Sequence, residues 1–248
     1  MMQFALGIDV GGSSVKAGVV NLTARRLEGE LISARTPRDS QPEHLIPVLR
    51  ELVTRLPRID GVVGVAFPSV VKRGRVRTAA NISPEWIGIN GAGLLTTALA
   101  RPAVFLNDAD AAGIAEMRWG AGRDVMGPVV MLTLGTGIGT ALFVDGRLFP
   151  NTELGHLQLH AKDAERWASA HVRAQLQLDW PAWSERLSDY LALVNALLWP
   201  DLFILGGAVS AHFGEFGPLL RSQAEVRAAR FGGEAGVIGA ALAAADGQ

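Results

Sequence analysis

The stretch Ala103–Trp119 reads AVFLNDADAAGIAEMRW, in which an apolar run ends at a polar pair and an alanine-rich helical pattern begins. Residues 104–106 favour a buried strand, and Asp110 is predicted to be the N-cap of the following helix. Asp108 is therefore expected at the carboxyl end of a strand, where open α/β sheets usually bind ligands. Asn-Asp before a helix is also ordinary turn chemistry, so this stretch alone leaves a structural and a functional role open.

Three other apolar strands are each followed by a glycine-rich turn. These strands are predicted to end at Asp9, Leu134 and Leu205. Glycine lets the backbone approach an anion closely and direct several N–H groups toward it, so that no dedicated cation is needed. One such turn would be weak evidence, but three favour a phosphate-bearing ligand held by Gly11, Gly12, Ser13, Gly135, Thr136, Gly137, Gly139, Gly206 and Gly207.

Known phosphate motifs do not fit these turns. None of them ends in Gly-Lys-Ser/Thr, which excludes a P-loop, and the protein-kinase signatures are missing. Residues 135–139 lack the spacing of a dinucleotide fingerprint and lead into a strand-like run. What remains is a phosphate-binding site formed by β-hairpins. In this site Asp9 could hold Mg²⁺, directly or through water, and Lys16 could offset phosphate charge. Alternatively, Asp9 could cap a turn and Lys16 could be a solvated strand residue.

Composition limits the function classes. The 248 residues carry 23 basic and 24 acidic side chains, and the net charge of −1 gives no electrostatic case for nucleic acid or an anionic membrane. Zero cysteines exclude disulfides, cysteine-ligated zinc and a thiol nucleophile, and fit a reducing cytoplasm. No secretory signal is visible after Met1, and the uncharged run Val125–Val144 holds four glycines, three threonines and a proline, which indicates two strands rather than a membrane helix. We expect a cytoplasmic protein.

The chain is expected to form two α/β lobes, residues 1–108 and 109–248, that share a cleft. A strand–turn–strand pattern around Gly11 restarts around Gly135, at an offset of 124 positions, and both an internal duplication and a chance recurrence fit it. A polar turn at 25–29, a third strand at 31–36 and a hairpin turning at Arg73-Gly74 are predicted in the first half. Helices are predicted at 42–55, 91–100, 163–176, 180–199 and 234–245, the last packing back on the N-terminal lobe.

A second, polar set of side chains accompanies the glycine turns: Asn107, Asp108, Glu153, His156 and Glu165. Carboxylate, amide and imidazole groups hydrogen-bond sugar hydroxyls, and a carboxylate can accept a hydroxyl proton. A lone histidine is more often a structural hydrogen-bonding group, so His156 gains weight only from its neighbours. Metal binding by Glu153 and His156 is disfavoured because no further ligands appear at suitable spacing.

A series of motifs follows in a fixed order along the chain: GIDVGGSSVK, GVAFPSVV, AANISPEWIG, NDADAAGIAEMRWGAGR, LTLGTGIGTALF, NTELGH, AERWASA and PDLFILGGAVS. In these motifs and their order, the sequence resembles the sugar kinases of the ROK family, and in detail their polyphosphate glucokinases. The motifs extend over essentially the whole chain. The resemblance implies an α/β, actin-like (ribonuclease H-like) two-lobed fold and phosphoryl transfer to the 6-hydroxyl of a hexose.

The resemblance also implies roles for individual residues. Asp108 would be the general base, and Asp9, Lys16 and the first two glycine turns would face the phosphates. Gly206-Gly207 would lie near the nucleoside, if one is used. The sugar would be held by Asn81, Asn107, Asp108, Glu153, His156 and Glu165.

Three departures from the family pattern affect these expectations. Ser13-Ser14 replaces the common Thr-Gly, which keeps a hydroxyl but stiffens the loop, and Ala208 replaces a usual third glycine on the nucleotide side. Most members carry a zinc-binding cysteine cluster after the Gly-His, whereas this chain has no cysteine. We therefore expect no zinc and a His156 that is free for the sugar.

The expected activity is a glucokinase that uses polyphosphate, ATP or both, with Mg²⁺ accompanying the donor. A kinase for another hexose, such as mannose or an N-acetylhexosamine, an ATPase of the actin or heat-shock type, and a non-enzymatic sugar sensor are alternatives. Binding of polyphosphate would need a track of basic side chains leading out of the cleft. The candidates are Lys72, Arg73, Arg75, Arg77, Arg118 and Arg123. A solvated surface explains these side chains equally well. The Trp- and Leu-rich helix 180–199 could bury a face in a homodimer.

Overall fold

The computed structural model describes residues 3–247 and divides them into two compact units. Unit 1 comprises the described residues up to Ala115 together with those from Glu234 onward, and unit 2 runs from Glu116 to Gly233. The sequence suggested a boundary after residue 108 and a closing helix, counted with the second half, that packs back on the first. The structure has the boundary inside a helix that begins at Asp108, and the closing helix lies in unit 1.

Unit 1 is built on a five-stranded sheet of order β3-β2-β1-β4-β7. The strands are β1 Phe4–Val10, β2 Ser14–Asn21, β3 Arg26–Arg35, β4 Val63–Phe67 and β7 Ala103–Asn107, with a separate hairpin of β5 Val71–Lys72 and β6 Arg75–Val76. β1, β2 and β3 are antiparallel, while β4 and β7 run parallel to β1. The helices are α1 Pro42–Arg55, α2 Gly91–Leu99 and α3 Asp108–Trp119.

Unit 2 contains a second five-stranded sheet, of order β10-β9-β8-β13-β14. Its strands are β8 Pro128–Leu134, β9 Ile138–Val144, β10 Arg147–Phe149, β13 Leu202–Gly206 and β14 Glu225–Ala228, with a small hairpin of β11 Gln158–Leu159 and β12 Lys162–Asp163. Its helices are α4 Glu165–Ala168, α5 Ala170–Gln175, α6 Trp180–Leu198 and α7 Phe213–Phe216. The chain then returns to unit 1 as α8 Ala235–Asp246.

The two sheets repeat one topology. Each begins with three antiparallel strands and continues with two parallel ones. β1 and β8 have the same length, lie 124 positions apart and share the same alternation of buried and half-buried residues. An internal duplication therefore explains the repeated pattern better than chance does.

Helix α8 packs unusually close to the sheet of unit 1. A Cβ atom on Gly7 would overlap the carbonyl of Val237, and one on Gly64 would overlap the carbonyl of Ala240. Ten residues of α8 are buried, and most of them are alanine or glycine. Small side chains allow the backbones of helix and strand to approach, so the contact depends on the absence of Cβ atoms from β1 and β4.

Several sequence predictions were wrong in detail. The turn expected at 25–29 lies earlier, because the Asn21 side chain accepts hydrogen bonds from the N–H groups of Thr23 and Ala24, and β3 begins at Arg26. The helix predicted over 163–176 starts at Glu165 and is interrupted at Ser169, which caps α5 by accepting from the N–H of Val172. Short β10 and β14 were not predicted.

Other predictions were confirmed. The 42–55 helix and the hairpin turning at Arg73-Gly74 are present, and the uncharged run 125–144 forms β8, a glycine turn and β9. Within residues 3–247, no helix combines the length and the apolar character needed to cross a membrane.

We predict that Gly64→Ala lowers the free energy of unfolding by about 1–3 kcal/mol, because the added methyl group must push α8 away from β4. Urea denaturation measures the change. Gly214→Ala is the control, since nothing lies within 4 Å of its Cβ position and it should change stability little. Equal stability of the two variants would contradict the close contact.

Candidate active site

The Asn107-Asp108 pair forms the junction between β7 and α3. Asn107 is buried, its Oδ1 accepts the N–H of Asp110 at 3.0 Å, and its Nδ2 donates to the carbonyl of Ser69 at 3.1 Å. Asn107 therefore caps the helix, and the prediction that Asp110 is the N-cap was wrong because α3 begins two residues earlier, at Asp108. Asp108 is half-buried, and its Oδ1 accepts the N–H of Ala109 at 2.8 Å.

Asp9 and Asp108 belong to the same edge of the unit 1 sheet. β1, β4 and β7 are parallel neighbours; Asp9 is in register with Ala66, and the following residue, Phe67, is in register with Asn107. The carboxyl ends of parallel strands meet at one edge, which is the usual ligand-binding edge of such sheets. The prediction that Asp108 follows the end of a strand is confirmed.

The first glycine turn connects β1 to β2 beside this edge. The N–H of Gly11 donates to the carbonyl of Ser14 at 3.0 Å, and the Thr36 hydroxyl donates to the carbonyl of Gly11 at 2.6 Å. Gly12 lies next to Asn81, whose carbonyl is 3.7 Å from the position of a Cβ atom on Gly12. The turn is thus fixed from one side by Thr36, and Asn81 lies near its tip.

Asp9 is held against the beginning of α8. A Cβ atom on Gly236, in the first turn of α8, would lie 2.6 Å from the carboxyl carbon of Asp9. Burial raises the pKa of Asp9 to about 6, and the charge of Lys16, directly across the β1–β2 pair, opposes this increase. A desolvated carboxylate beside a glycine turn suits a divalent cation, and the positive end of a helix dipole lies next to it.

The second glycine turn, between β8 and β9, lies in unit 2 beside Glu165. The N–H of Gly135 donates to the carbonyl of Gly137, and Glu165 Oε2 accepts the N–H of Ile138 at 3.4 Å. A Cβ atom on Gly137 would overlap this carboxylate oxygen. Thr136 is exposed at the turn, and Gly139 is already part of β9. A glycine at 137 is therefore needed for Glu165 to reach the turn.

The third glycine turn begins at Gly206, the last residue of β13 in unit 2, and continues with Gly207. Gly207 has a φ of +86°, which disfavours other residues, and a Cβ atom there would overlap the carbonyl of Leu134. This turn therefore packs on the end of β8, next to the second glycine turn. Ala208, the departure noted in the sequence, begins a short 3₁₀ helix.

Glu153, His156 and Glu165 are brought together in unit 2, and Asp163 joins them. His156 Nε2 lies 3.7 Å from Glu153 Oε2, and His156 Nδ1 lies 3.2 Å from Asp163 Oδ2. Burial raises the pKa of Glu153; the negative charge of Glu165 adds to the increase, and His156 opposes it. A group with a raised pKa and carboxylate neighbours is typical of a functional site.

Asp163 was not predicted from the sequence. The prediction that no further potential metal ligands accompany His156 was wrong. One atom each from His156, Asp163 and Glu165 lie within 4.8 Å of one another, close enough to meet at a cation. Both carboxylates of this group already accept hydrogen bonds, Asp163 from His156 and Gln158, and Glu165 from a backbone N–H. Asp163 could not be found from sequence spacing, because a tight turn brings it back along the chain.

A model of the ROK family matches residues 5–168. The chain belongs to the ROK family. It is 42% identical over 242 residues to a polyphosphate glucokinase of Mycobacterium tuberculosis, covering 97% of this chain and 91% of the relative. It is 40% identical over 238 residues to the polyphosphate glucokinase of Mycobacterium leprae, covering 96% and 73%.

Solved structures agree with this ROK assignment. Inorganic polyphosphate/ATP-glucomannokinase from Arthrobacter sp. strain KM matches with a TM-score of 0.94 and 41% identity, over 99% of both chains. A ROK family glucokinase from Streptomyces griseus, solved with glucose and AMPPNP, matches with a TM-score of 0.83 over 98% and 99%, and at 24% identity it supports the fold alone. The predicted family and the actin-like sugar-kinase fold are confirmed.

We predict that Asp9→Asn changes stability in a pH-dependent manner. Because the pKa of Asp9 is about 6 when folded and 3.8 ordinarily, the folded chain binds this proton more tightly, and the contribution of Asp9 to stability falls as pH rises from about 4 to 6. In metal-free buffer, the melting temperature of the variant minus that of wild type should be larger at pH 7.5 than at pH 4.5. An identical difference at both pH values would contradict a half-buried, poorly compensated charge at Asp9.

Proposed function

We propose that this chain is a glucokinase that transfers the terminal phosphoryl group of polyphosphate or ATP to the 6-hydroxyl of glucose. The observation that carries the proposal is the agreement with the Arthrobacter polyphosphate/ATP-glucomannokinase over 99% of both chains at 41% identity. The relatives from the two mycobacteria carry the name polyphosphate glucokinase. Because the Arthrobacter enzyme is named a glucomannokinase, mannose is the second acceptor to be tested.

Asp108 is the proposed general base. It follows a buried strand that is parallel to the strand ending in Asp9, and Asn107 holds the turn by two hydrogen bonds. A fixed, half-buried carboxylate can accept the proton of a sugar hydroxyl as the hydroxyl attacks the phosphoryl group. In phosphoryl transfer most of the catalytic effect comes from positioning and charge stabilisation, so the rigidity of this turn matters.

The glycine turns and Asp9 are proposed to bind the donor. In unit 1, backbone N–H groups of the turn at 11–13 would contact phosphate oxygens, and Lys16 would offset part of their charge. In unit 2, the turn at 135–137 is likewise a proposed phosphate contact. Asp9 fits Mg²⁺ because its carboxylate is desolvated and has a raised pKa. When bound, the ion neutralises phosphate charge; Asp9 would hold it, and protonation of Asp9 below about pH 6 would weaken that binding.

Within unit 2, Glu153, His156 and Glu165 are the proposed sugar contacts. Glu153 and His156 lie on one 3₁₀ turn, and Gly155 between them packs against the carbonyl of Ile138. Their half-exposed oxygens and ring nitrogen suit hydroxyl groups.

A homodimer through the exposed end of α6, where Trp199 is 72% exposed, is also proposed.

We predict that Asp108→Asn lowers kcat by about 10²- to 10⁴-fold while glucose affinity changes little, because the amide keeps the shape but cannot accept the proton. Steady-state kinetics and calorimetry with glucose measure the two effects. The bond from Ala109 can still be accepted by the amide oxygen, so the melting temperature should stay near that of wild type. Near-normal turnover in the folded variant would exclude Asp108 as the base.

The β5–β6 hairpin is the proposed contact for the outer part of a long polyphosphate. Lys72 and Arg75 are exposed and directly opposite each other, and Arg73 and Arg77 are exposed nearby. Like charges in opposite positions are unfavourable without an anion. The base of the hairpin is bonded through Ser69 to Thr78 and Asn107. Among the other candidates for a basic track, Arg123 is paired with Asp124 and lies in unit 2.

We predict that the double variant Lys72→Gln, Arg75→Gln raises the KM for long-chain polyphosphate by about three- to tenfold and leaves the KM for ATP nearly unchanged, because only the long donor extends to the hairpin. Arg50→Gln, Arg58→Gln is the control, with the same charge change on exposed residues elsewhere in unit 1. Equal effects of both double variants, or equal effects on the two donors, would reject the hairpin as a polyphosphate contact.

A further inference from the structure

A short hairpin in unit 2 carries a carboxylate to His156. β11 and β12 are antiparallel with Gln158 opposite Asp163, and the connecting residues His160 and Ala161 have positive φ angles of 52° and 59°. Two such residues form the tight turn whose twist suits a two-residue hairpin. The turn reverses the chain, so Asp163 returns to the side chain of His156.

Both oxygens of Asp163 are engaged in side-chain hydrogen bonds. Oδ2 lies 3.2 Å from Nδ1 of His156, and Oδ1 accepts from Nε2 of Gln158 at 2.6 Å. The hydrogen bond with His156, followed by that with Gln158, lowers the pKa of Asp163. The carboxyl group is therefore ionised at neutral pH. An ionised carboxylate only accepts hydrogen bonds, so the hydrogen of the His156 bond must reside on Nδ1.

For a neutral ring, the state of the second nitrogen of His156 follows from this bond. When a neutral imidazole carries its hydrogen on Nδ1, Nε2 has a lone pair and acts as an acceptor. Nε2 lies 3.7 Å from Glu153 Oε2, within the group of side chains proposed to contact the sugar. The sequence suggested that His156 is free for the sugar, whereas the structure leaves only Nε2 for that contact.

We propose that Asp163 is a positioning residue of the sugar site, which orients His156 and fixes it in the Nδ1–H form so that Nε2 accepts a hydrogen bond from a hexose hydroxyl. This inference rests on the proposed function. Gln158 supports the arrangement by holding the other oxygen of Asp163. The general basis is the same as in other histidine–carboxylate pairs, where the partner of one ring nitrogen determines the chemistry of the other.

Asp163→Asn tests the proposal in the full-length enzyme. The amide preserves shape but no longer forces the hydrogen onto Nδ1, so the KM for glucose should rise about tenfold while kcat changes less than about twofold. The matched control is Asp189→Asn, because Asp189 also pairs with a histidine, His160, at 3.3 Å with similar exposure but outside the proposed site. The control should leave both constants unchanged.

A second readout does not depend on activity. Nitrogen-15 NMR of the His156 ring, assigned by its loss in His156→Gln, reports which nitrogen carries the hydrogen. Wild type should show the Nδ1–H form near neutral pH, and Asp163→Asn should shift the population toward Nε2–H. A wild-type ring in the Nε2–H form, or a ring unaffected by Asp163→Asn, would overturn the proposal.

The remaining outcomes separate the inference from the proposed function and from metal binding. Wild-type enzyme without hexose kinase activity would reject the proposed function, whereas active wild type with an unchanged KM in Asp163→Asn would reject the inference alone. If elemental analysis finds a stoichiometric divalent metal in wild type that is lost in Asp163→Asn, and chelation reproduces the KM increase, Asp163 is a metal ligand and the positioning role is wrong.

Discussion

The close approach of α8 to β1 and β4 is the constraint on which the arrangement of unit 1 depends. Gly7 and Gly64 have no Cβ atoms, so the carbonyls of Val237 and Ala240 reach the sheet itself. With a helix so close to the sheet, Gly236 in its first turn touches the carboxylate of Asp9. The burial that raises the pKa of Asp9 to about 6 is thus a consequence of helix packing.

Unit 2 uses glycine in a similar way. Gly137 admits the carboxylate of Glu165 to the turn between β8 and β9, as Gly236 admits Asp9 in unit 1. In both cases a carboxylate gains contact with backbone where a Cβ atom would exclude it. Gly137, which the sequence assigned to phosphate contact, therefore also admits an acidic group, and a substitution there would alter both this contact and the proposed phosphate contact.

Histidine and asparagine in the site are committed to partners inside the fold. Asn107 uses its amide to cap α3 and to bind Ser69, and His156 uses Nδ1 for Asp163. Each side chain is held in one orientation by these bonds, which reduces the entropy lost when a ligand binds. The same bonds leave fewer polar atoms for the proposed sugar contacts than the sequence alone suggested.

The sequence by itself determined the family, the strand–glycine turn–strand repeats and the position of Asp108 after a strand, because these depend on local periodicity, glycine spacing and ordered motifs. It also located α1 correctly from its apolar face. Only the tertiary structure decided that Asn107 and not Asp110 caps α3, that the boundary between the units lies inside α3, and that Asp163 lies beside His156. These features arise from hydrogen bonds, from backbone contacts, and from a tight turn with positive φ angles at His160 and Ala161, which are not typical turn residues. They depend on residues that are close in space, and a pattern along the sequence does not identify those residues.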